Sequence, residues 1–152
     1  MPPPRNRILA ALDVADWERI APYLQPAELR RGQVLQRPGE ALERVWFPET
    51  GVVSLRVNLP TGQAVEVATV GREGLVGYGV VLADTITTIE VVQVPGAALS
   101  LPATALQAQL ERGGRLRQLV ERATQEERPC RWRWWPPVTG CTGPSGGWRA
   151  GC

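Results

Sequence analysis

The apolar positions of this chain begin with a helical spacing. Within residues 6–24 the apolar side chains recur every three or four positions, which predicts helix. They are Ile8, Leu9, Leu12, Trp17, Ile20 and Leu24. Asp13 or Asp16 is placed to cap a second helix beginning at Trp17, because an aspartate side chain accepts hydrogen bonds from the free amides of a first turn. We therefore expect two short helices instead of one.

Between residues 29 and 101 the spacing becomes that of short strands separated by turn residues. Apolar and polar residues alternate over 53–59, which is typical of a strand with one buried face. A Pro-Thr-Gly turn follows and the alternation resumes over 65–69, so the two runs predict a hairpin. Further short strands are predicted at 33–35, 44–47, 75–76, 86–94 and 98–101. Many short strands at this spacing indicate a sandwich or a small barrel.

After Pro102 the helical spacing returns. It predicts helix over 105–110 and again over 116–123. In the second of these, four apolar residues fall on one stripe. They are Leu116, Leu119, Val120 and Ala123. The predicted fold class is therefore mainly β with flanking helices.

Length and composition fit one globular domain. The chain has 152 residues, of which 43% are hydrophobic and 21% charged, values close to the average for folded proteins. No apolar run approaches the roughly 18 residues that a membrane helix needs, and the Met-Pro-Pro-Pro start lacks the apolar core of a signal peptide. We expect a cytoplasmic protein that makes no membrane contact.

The residue types exclude most enzyme chemistry. The chain contains no His, and all 17 of its basic residues are Arg. Without His, most metal sites, the usual general base and the Ser-His-Asp or Cys-His nucleophiles are excluded. We expect no catalytic residues, no metal and no cofactor.

The net charge of +2 is unevenly distributed. Residues 1–125 carry 13 Arg and 13 acidic residues, whereas residues 126–152 carry four Arg and two Glu. This terminal segment also holds all three Cys, four of the six Trp, five Gly and four Pro, and it shows no helix or strand period. The sequence therefore predicts a folded domain over 1–125 and an irregular tail over 126–152.

Four strings of residues carry a resemblance to a known family. In order they are LRRGQVL at 29–35, PGE at 38–40, VWFPETGVVSL at 45–55 and VEVATVGREGLVG at 65–77. Together they resemble the sensor domain of the Crp/Fnr superfamily of bacterial transcription regulators. The resemblance covers residues 6–125. It implies an antiparallel double-stranded β-helix, the jelly-roll-like β-roll of cyclic nucleotide-binding domains, with a small-molecule effector as its partner.

The resemblance also implies a ligand site, although the site is degenerate. Glycines crowd residues 71–79, where backbone amides can approach an anion or the chain can turn a tight corner. In the family this region cradles the phosphate of a cyclic nucleotide. The residues implied as ligand-binding here are Gly71, Arg72, Glu73, Gly74, Gly77 and Tyr78.

Two departures from the family pattern bear on the ligand. Tyr78 stands where cyclic nucleotide binders have a Glu that holds the ribose, and the stretch 83–89 has no Arg to pair with the phosphate. Arg72 is the nearest cation. We therefore expect cAMP binding to be weak or absent and the pocket to take another ligand or none.

In the family, a long dimerisation helix leads into a helix-turn-helix that binds DNA. The stripe Leu116, Leu119, Val120 and Ala123 matches the start of that helix, but the pattern stops by residue 125. So short a stripe predicts weak or no dimerisation and no sequence-specific DNA binding.

Three interpretations of the tail stay open. The first is a segment that stacks on nucleic acid or lies on a membrane surface, because the run RWRWW at 131–135 is typical of both. The second is a disordered appendage. The third is a reading frame out of phase. When the third base of each codon is joined to the first two bases of the next codon, the codons of residues 134–152 permit the string VAACNRLHRAERRLARWL. This string resembles the family segment that follows the dimerisation helix.

The function indicated by the sequence is the sensor domain of a Crp/Fnr-type transcription regulator, truncated or frameshifted before its DNA-binding domain. The alternative is a stand-alone β-roll module that binds a ligand or another protein and carries a genuine short tail. A third hypothesis is a nucleic-acid binder that acts through the tail.

Overall fold

The computed structural model describes residues 2–79 and 87–133, the last eight of them by their backbone alone. The start of the strand predicted at 86–94, most of the stretch without Arg and the tail from residue 134 onward lie outside the described residues.

The chain begins with two short helices, as the sequence predicted. They are α1 (Arg7–Ala10) and α2 (Val14–Ile20), followed by a 3₁₀ turn over Ala21–Tyr23. Helix α2 begins three residues earlier than expected because the side chain of Asp13 accepts a hydrogen bond from the Asp16 amide at 2.8 Å and so caps the helix. Asn6 caps α1 in the same way.

In the part of the chain that the structure describes, seven antiparallel strands form the body of the domain. They are β1 (Gln25–Leu29), β2 (Val34–Gln36), β3 (Arg44–Pro48), β4 (Val52–Asn58), β5 (Ala64–Val70), β6 (Ile89–Val94) and β7 (Gly96–Pro102). The strands form a three-stranded sheet of order β1-β7-β3 and a four-stranded sheet of order β2-β6-β4-β5. The predicted fold class is confirmed, and β4 and β5 form the predicted hairpin.

Two parts of the sheet differ from the prediction. Strand β1 was not predicted, because only Leu29 of its five residues is buried and no alternation shows in the sequence; its regularity comes from pairing along β7. The strand predicted at 75–76 is a single antiparallel bridge between Trp46 and Val76. Two hydrogen bonds of 2.9 and 2.8 Å form that bridge.

The core lies between the two sheets. Directly paired residues of a sheet point to the same face, so Val53, Val70 and Val92 of the larger sheet share one buried face. Val45 and Leu101 pair in the same way in the smaller sheet. All of these residues belong to one hydrophobic cluster, so the two sheets close around a shared interior.

Within the described residues, the sheets are followed by two further helices, α3 (Ala103–Glu111) and α4 (Arg115–Arg133). Helix α4 runs eight residues past the boundary expected at 125, which corrects the prediction of an irregular tail for 126–133. Gln, Glu and Arg, which are good helix formers, occupy 125–128 and continue the helix there. None of the helices within the described residues has both the length and the apolar character that a membrane span requires.

The stripe on α4 packs against its own domain. Leu116 and Val120 are buried in the core, and Leu119 and Ala123 are partly buried against it. The stripe therefore seats α4 on the monomer, and its part in dimerisation stays a prediction.

The buried side chain of Asn6 links three segments of the fold. Its Oδ1 accepts hydrogen bonds from the amides of Ile8 (3.0 Å) and Leu9 (3.4 Å). Its Nδ2 donates to the carbonyl oxygens of Pro48 (3.0 Å) and Gly74 (2.9 Å). Helix α1, the end of β3 and the glycine-rich segment after β5 thus meet at one side chain.

Replacing Asn6 with Ala should lower the free energy of unfolding by about 2–4 kcal/mol, because the change removes a helix cap and leaves two buried carbonyl groups without their donor. Urea denaturation measures this loss. The matched control is Asp13→Ala, which removes a single local cap and should cost about 1 kcal/mol. Equal losses for the two variants would contradict the linking role of Asn6.

Candidate functional site

The glycine-rich segment 71–78 connects the two sheets. It leaves the end of β5 in the larger sheet, and its Val76 pairs with Trp46 of β3 at the edge of the smaller one. Every residue predicted as ligand-binding lies on this connection. The segment thus crosses from one wall of the roll to the other and enters residues 80–86, which are outside the described part of the chain.

Hydrogen bonds within the segment occupy several of its polar groups. The Gly71 amide donates to Glu73 Oε1 at 2.9 Å, and the Gly74 amide donates to the Gly71 carbonyl at 3.2 Å. The amide of Arg7 donates to the Arg72 carbonyl at 2.7 Å. The Gly71 amide is therefore already hydrogen-bonded to the Glu73 carboxylate, and this contact stabilises the turn.

The side chain of Arg72 is exposed, whereas Gly71 and Gly74 are buried. Gly74 accepts the hydrogen bond from Asn6 described above. The one cation predicted near the site therefore lies on the outside of the turn. The structure brings the backbone of the predicted residues together but does not place the Arg72 guanidinium in the interior.

Gly77 turns a tight corner. Its φ is +94°, and a Cβ at this position would lie 3.1 Å from the carbonyl oxygen of Arg44 and 3.2 Å from Leu42 Cδ1. Both the backbone angle and the space demand glycine. This position is explained by the corner itself, without any ligand.

Tyr78 points a neutral group into the interior. Its side chain is 4% exposed, and its hydroxyl lies 3.3 Å from Oγ1 of Thr88, which is fully buried. The resemblance to Crp/Fnr sensors implies a ribose-binding Glu at this position. A phenol and a hydroxyl form a neutral hydrogen-bonded pair there.

Sequence reasoning missed Thr88 and Glu90. Glu90 on β6 is 1% exposed and pairs with Leu55 of β4 and Gln36 of β2. It therefore shares the inward face of the larger sheet with Leu55. The available signal was the position of Glu90 two residues before the inward Val92, because alternate residues of a strand face the same way.

Among the described residues, the mainly apolar interior of the roll holds a few polar side chains and no cation. The buried polar residues of the described chain include Gln36, Thr88 and Glu90, and no arginine is among them. The Gln36 amide donates to the carbonyls of Arg37 (3.2 Å) and Glu40 (2.9 Å) and so holds the turn after β2. Hydroxyl groups and a carboxylate suit a ligand that donates hydrogen bonds better than one that carries a phosphate.

Metal binding has no support in this part of the molecule. Across residues 2–79 and 87–133, as far as their side chains are described, no three metal-ligating side chains come together.

Replacing Gly77 with Ala should lower the free energy of unfolding by about 2–4 kcal/mol, because the cost of a positive φ adds to the displacement of the neighbouring β3 backbone. Gly62 provides the control, since its φ is +85° but no atom lies within 4 Å of its would-be Cβ. Gly62→Ala should cost only about 1–2 kcal/mol. Urea denaturation of both variants measures the difference. A Gly77→Ala variant no less stable than Gly62→Ala would refute the steric requirement for glycine at this corner.

Sequence comparison agrees with this architecture. Residues 26–112, more than half of the chain, match the cyclic nucleotide-binding domain family, and the chain belongs to that family. Domains of this family are regulatory sensor domains. The curated proteins contain no significant sequence match to this chain.

Solved structures show the same fold. The regulatory subunit of a cAMP-independent protein kinase A from Trypanosoma cruzi, bound to guanosine, is 17% identical with a TM-score of 0.68, over 85% of this chain and 45% of that one. The c-di-GMP-responsive global regulator CLP from Xanthomonas campestris is 16% identical with a TM-score of 0.66, over 80% of this chain and 62% of that one.

The N-terminal domain of a transcriptional regulator from Streptomyces coelicolor is 24% identical with a TM-score of 0.58, over 90% of this chain and 96% of that one. The present chain thus spans less than half the length of the kinase regulatory subunits but nearly all of this regulator domain.

Proposed function

We propose that the chain is the effector-binding domain of a Crp/Fnr-type transcription regulator, that it acts in the cytoplasm, and that it is not an enzyme. The family match supports a sensor role. The similarity to CLP and to the Streptomyces coelicolor domain supports transcription regulation over a stand-alone module. The strings that resemble Crp/Fnr sensors lie on β2 to β5 and on the segment after β5, which are parts of the β-roll itself.

The effector is a small polar molecule without a phosphate group. The observation that carries this proposal is the neutral Tyr78–Thr88 pair at the position of the family's ribose-binding Glu. Phosphate recognition normally uses a guanidinium that donates two hydrogen bonds. Among the buried side chains described, a carboxylate is present and a guanidinium is not.

A nucleoside fits these groups. Its hydroxyl and amino groups donate hydrogen bonds to a carboxylate or a threonine, and it carries no charge that a buried Glu would repel. The kinase regulatory subunit from Trypanosoma cruzi offers a parallel, since it is bound to guanosine within the same fold. The nucleoside class is therefore the first to test.

Isothermal titration calorimetry of the purified chain with adenosine, guanosine, cAMP and cGMP should show tighter binding of a nucleoside than of either cyclic nucleotide. The expected difference in Kd is about tenfold or more, since one unmatched phosphate forfeits a charge-assisted contact of roughly 1.5–3 kcal/mol. Tighter binding of cAMP than of adenosine would contradict the proposed effector class.

A designed variant sharpens the same test. Tyr78→Glu combined with Thr88→Arg replaces the neutral pair with a carboxylate and a guanidinium, the two groups that the family uses for the ribose and the phosphate, and should tighten cAMP binding by about tenfold or more. Thr88 is fully buried beside Tyr78, so both replacements lie in the interior. The control combines Tyr78→Glu with Thr69→Arg, which adds the same charge at an exposed position of β5.

The second part of the proposal concerns the tail. We propose that residues 126–152 are read out of frame and that the gene encodes a dimerisation helix and helix-turn-helix in the alternate frame. The support is the family-like string that the codons of 134–152 permit. In its present form the chain would dimerise weakly or not at all and would contact DNA only nonspecifically.

Sequencing the gene tests this directly. The alternate frame should encode VAACNRLHRAERRLARWL or a close variant, followed by a helix-turn-helix. The frame-restored protein should sediment as a dimer and shift a palindromic operator, whereas the present chain should not. An alternate frame without any family-like segment would refute the proposal and favour the stand-alone module with a genuine tail.

A further inference from the structure

The buried face of the smaller sheet continues past the core on its β1 side. Phe47, Leu99 and Pro26 pair in register across β3, β7 and β1, so they share one face of that sheet. Phe47 is fully buried, whereas Pro26 and Ala97 are exposed. The face that forms the core at Phe47 is therefore open to solvent at β1.

A groove of about 430 Å³ lies on this open part of the sheet. Its lining side chains are apolar apart from two glutamates, Glu28 and Glu49. The apolar lining comes from the N-terminal segment, β1 and β7, and includes Pro2, Pro26, Ala97 and Leu99. A volume of this size with an apolar lining and few polar groups is typical of a small-molecule site. None of the lining residues belongs to the segment 71–78 or to positions 88 and 90, so the groove is separate from the effector site.

Glu49 is held in position at the groove by three contacts. Its amide donates to the carbonyl of Ala97 at 2.8 Å, which places the residue beside β7. Its Oε1 accepts a hydrogen bond from the amide of Arg5 at 3.0 Å. The carbonyl of the preceding residue, Pro48, accepts from Asn6. The carboxylate is therefore oriented by the fold itself, without a ligand.

The two glutamates differ in their charge partners. The carboxylate of Glu28 pairs with Nε of Arg30 at 3.3 Å, and both of these side chains are exposed. No ion pair among the described side chains involves Glu49, which is partly buried. A charge beside apolar surface attracts an opposite charge more strongly than one in open water, because less water screens it. Glu49 is therefore the group of the groove that suits a cation.

We propose that this groove binds a small organic amine, whose ammonium group pairs with Glu49 and whose apolar body lies on Pro26 and Leu99. The ammonium group donates to Oε2, the oxygen that the Arg5 amide does not occupy. A neutral ligand leaves the carboxylate without a charge partner, and an anionic ligand is repelled by it. The site goes beyond the proposed function and stands whatever the interior of the roll binds.

An amide NMR titration of the full chain with phenethylamine and with phenethyl alcohol tests the site. The two probes have the same apolar body, and only the amine is charged at neutral pH. The amine should shift the amide signals of residues 27–28 and 97–99 and bind about fivefold more tightly than the alcohol. Equal affinities for the two probes would overturn the proposal.

Glu49→Gln removes the charge but keeps an oxygen that can accept from the Arg5 amide. It should abolish the preference for the amine and leave the affinity for the alcohol unchanged. The matched control is Glu28→Gln, which removes a charge from the same groove and should keep the preference, since Glu28 already pairs with Arg30. A preference that survives Glu49→Gln overturns the role of this carboxylate.

A third variant tests the position of the site. Ala97→Leu fills the groove and should prevent the binding of both probes, whereas Gln93→Leu adds the same bulk at an exposed position of β6 and should not. Binding that persists in Ala97→Leu overturns the assignment to this groove. A blocked Phe-Lys dipeptide offers an aromatic ring and an ammonium group on a peptide backbone and should bind no more tightly than phenethylamine. Tighter binding of the dipeptide would overturn the assignment to a small amine and favour a protein partner.

Discussion

The four hydrogen bonds of the Asn6 side chain are the constraint on which the candidate site depends. A primary amide is planar and has a fixed number of donors and acceptors, so occupying both ends fixes its position. Here one end holds the first turn of α1 and the other holds the carbonyls of Pro48 and Gly74. The segment that carries Gly77 and Tyr78 is thereby fixed to an N-terminal helix and to the end of β3. The direction in which Tyr78 enters the roll is thus determined by a residue more than seventy positions earlier.

Local periodicity predicted most of the secondary structure. The β4–β5 hairpin and the two N-terminal helices follow from alternation and capping residues that are adjacent in sequence. Strand β1 could not be predicted in this way, because its order comes from β7, about seventy residues later. Asp16 shows the same limit: its sequence position suggests a local cap, whereas its carboxylate caps α4. The glycines of the site were also identifiable, whereas the inward direction of Glu90 follows from its position two residues before Val92 only once Val92 is known to face inward. That knowledge depends on the pairing of Val92 with Val53 of β4, which is distant in sequence.

The family fold and the ligand chemistry are separable in this chain. The two sheets, the connecting segment and the helices are those of a cyclic nucleotide-binding domain. The resemblance implies a ribose-binding carboxylate at position 78, whereas a phenol pairs with the Thr88 hydroxyl there, and no arginine is buried among the described residues. A scaffold that presents side chains from rigid strands allows such replacements, because the pocket changes while the core does not.

The corner at Gly77 has a consequence for how domains of this type are classified. The glycine is required by its own backbone angle and by contact with the carbonyl of Arg44. A domain that lost its ligand in the course of evolution would therefore still keep the glycine, since any other residue there would disturb β3. A glycine at this place in the sequence of such a domain therefore reports a closed corner of the roll, and by itself it says nothing about a ligand.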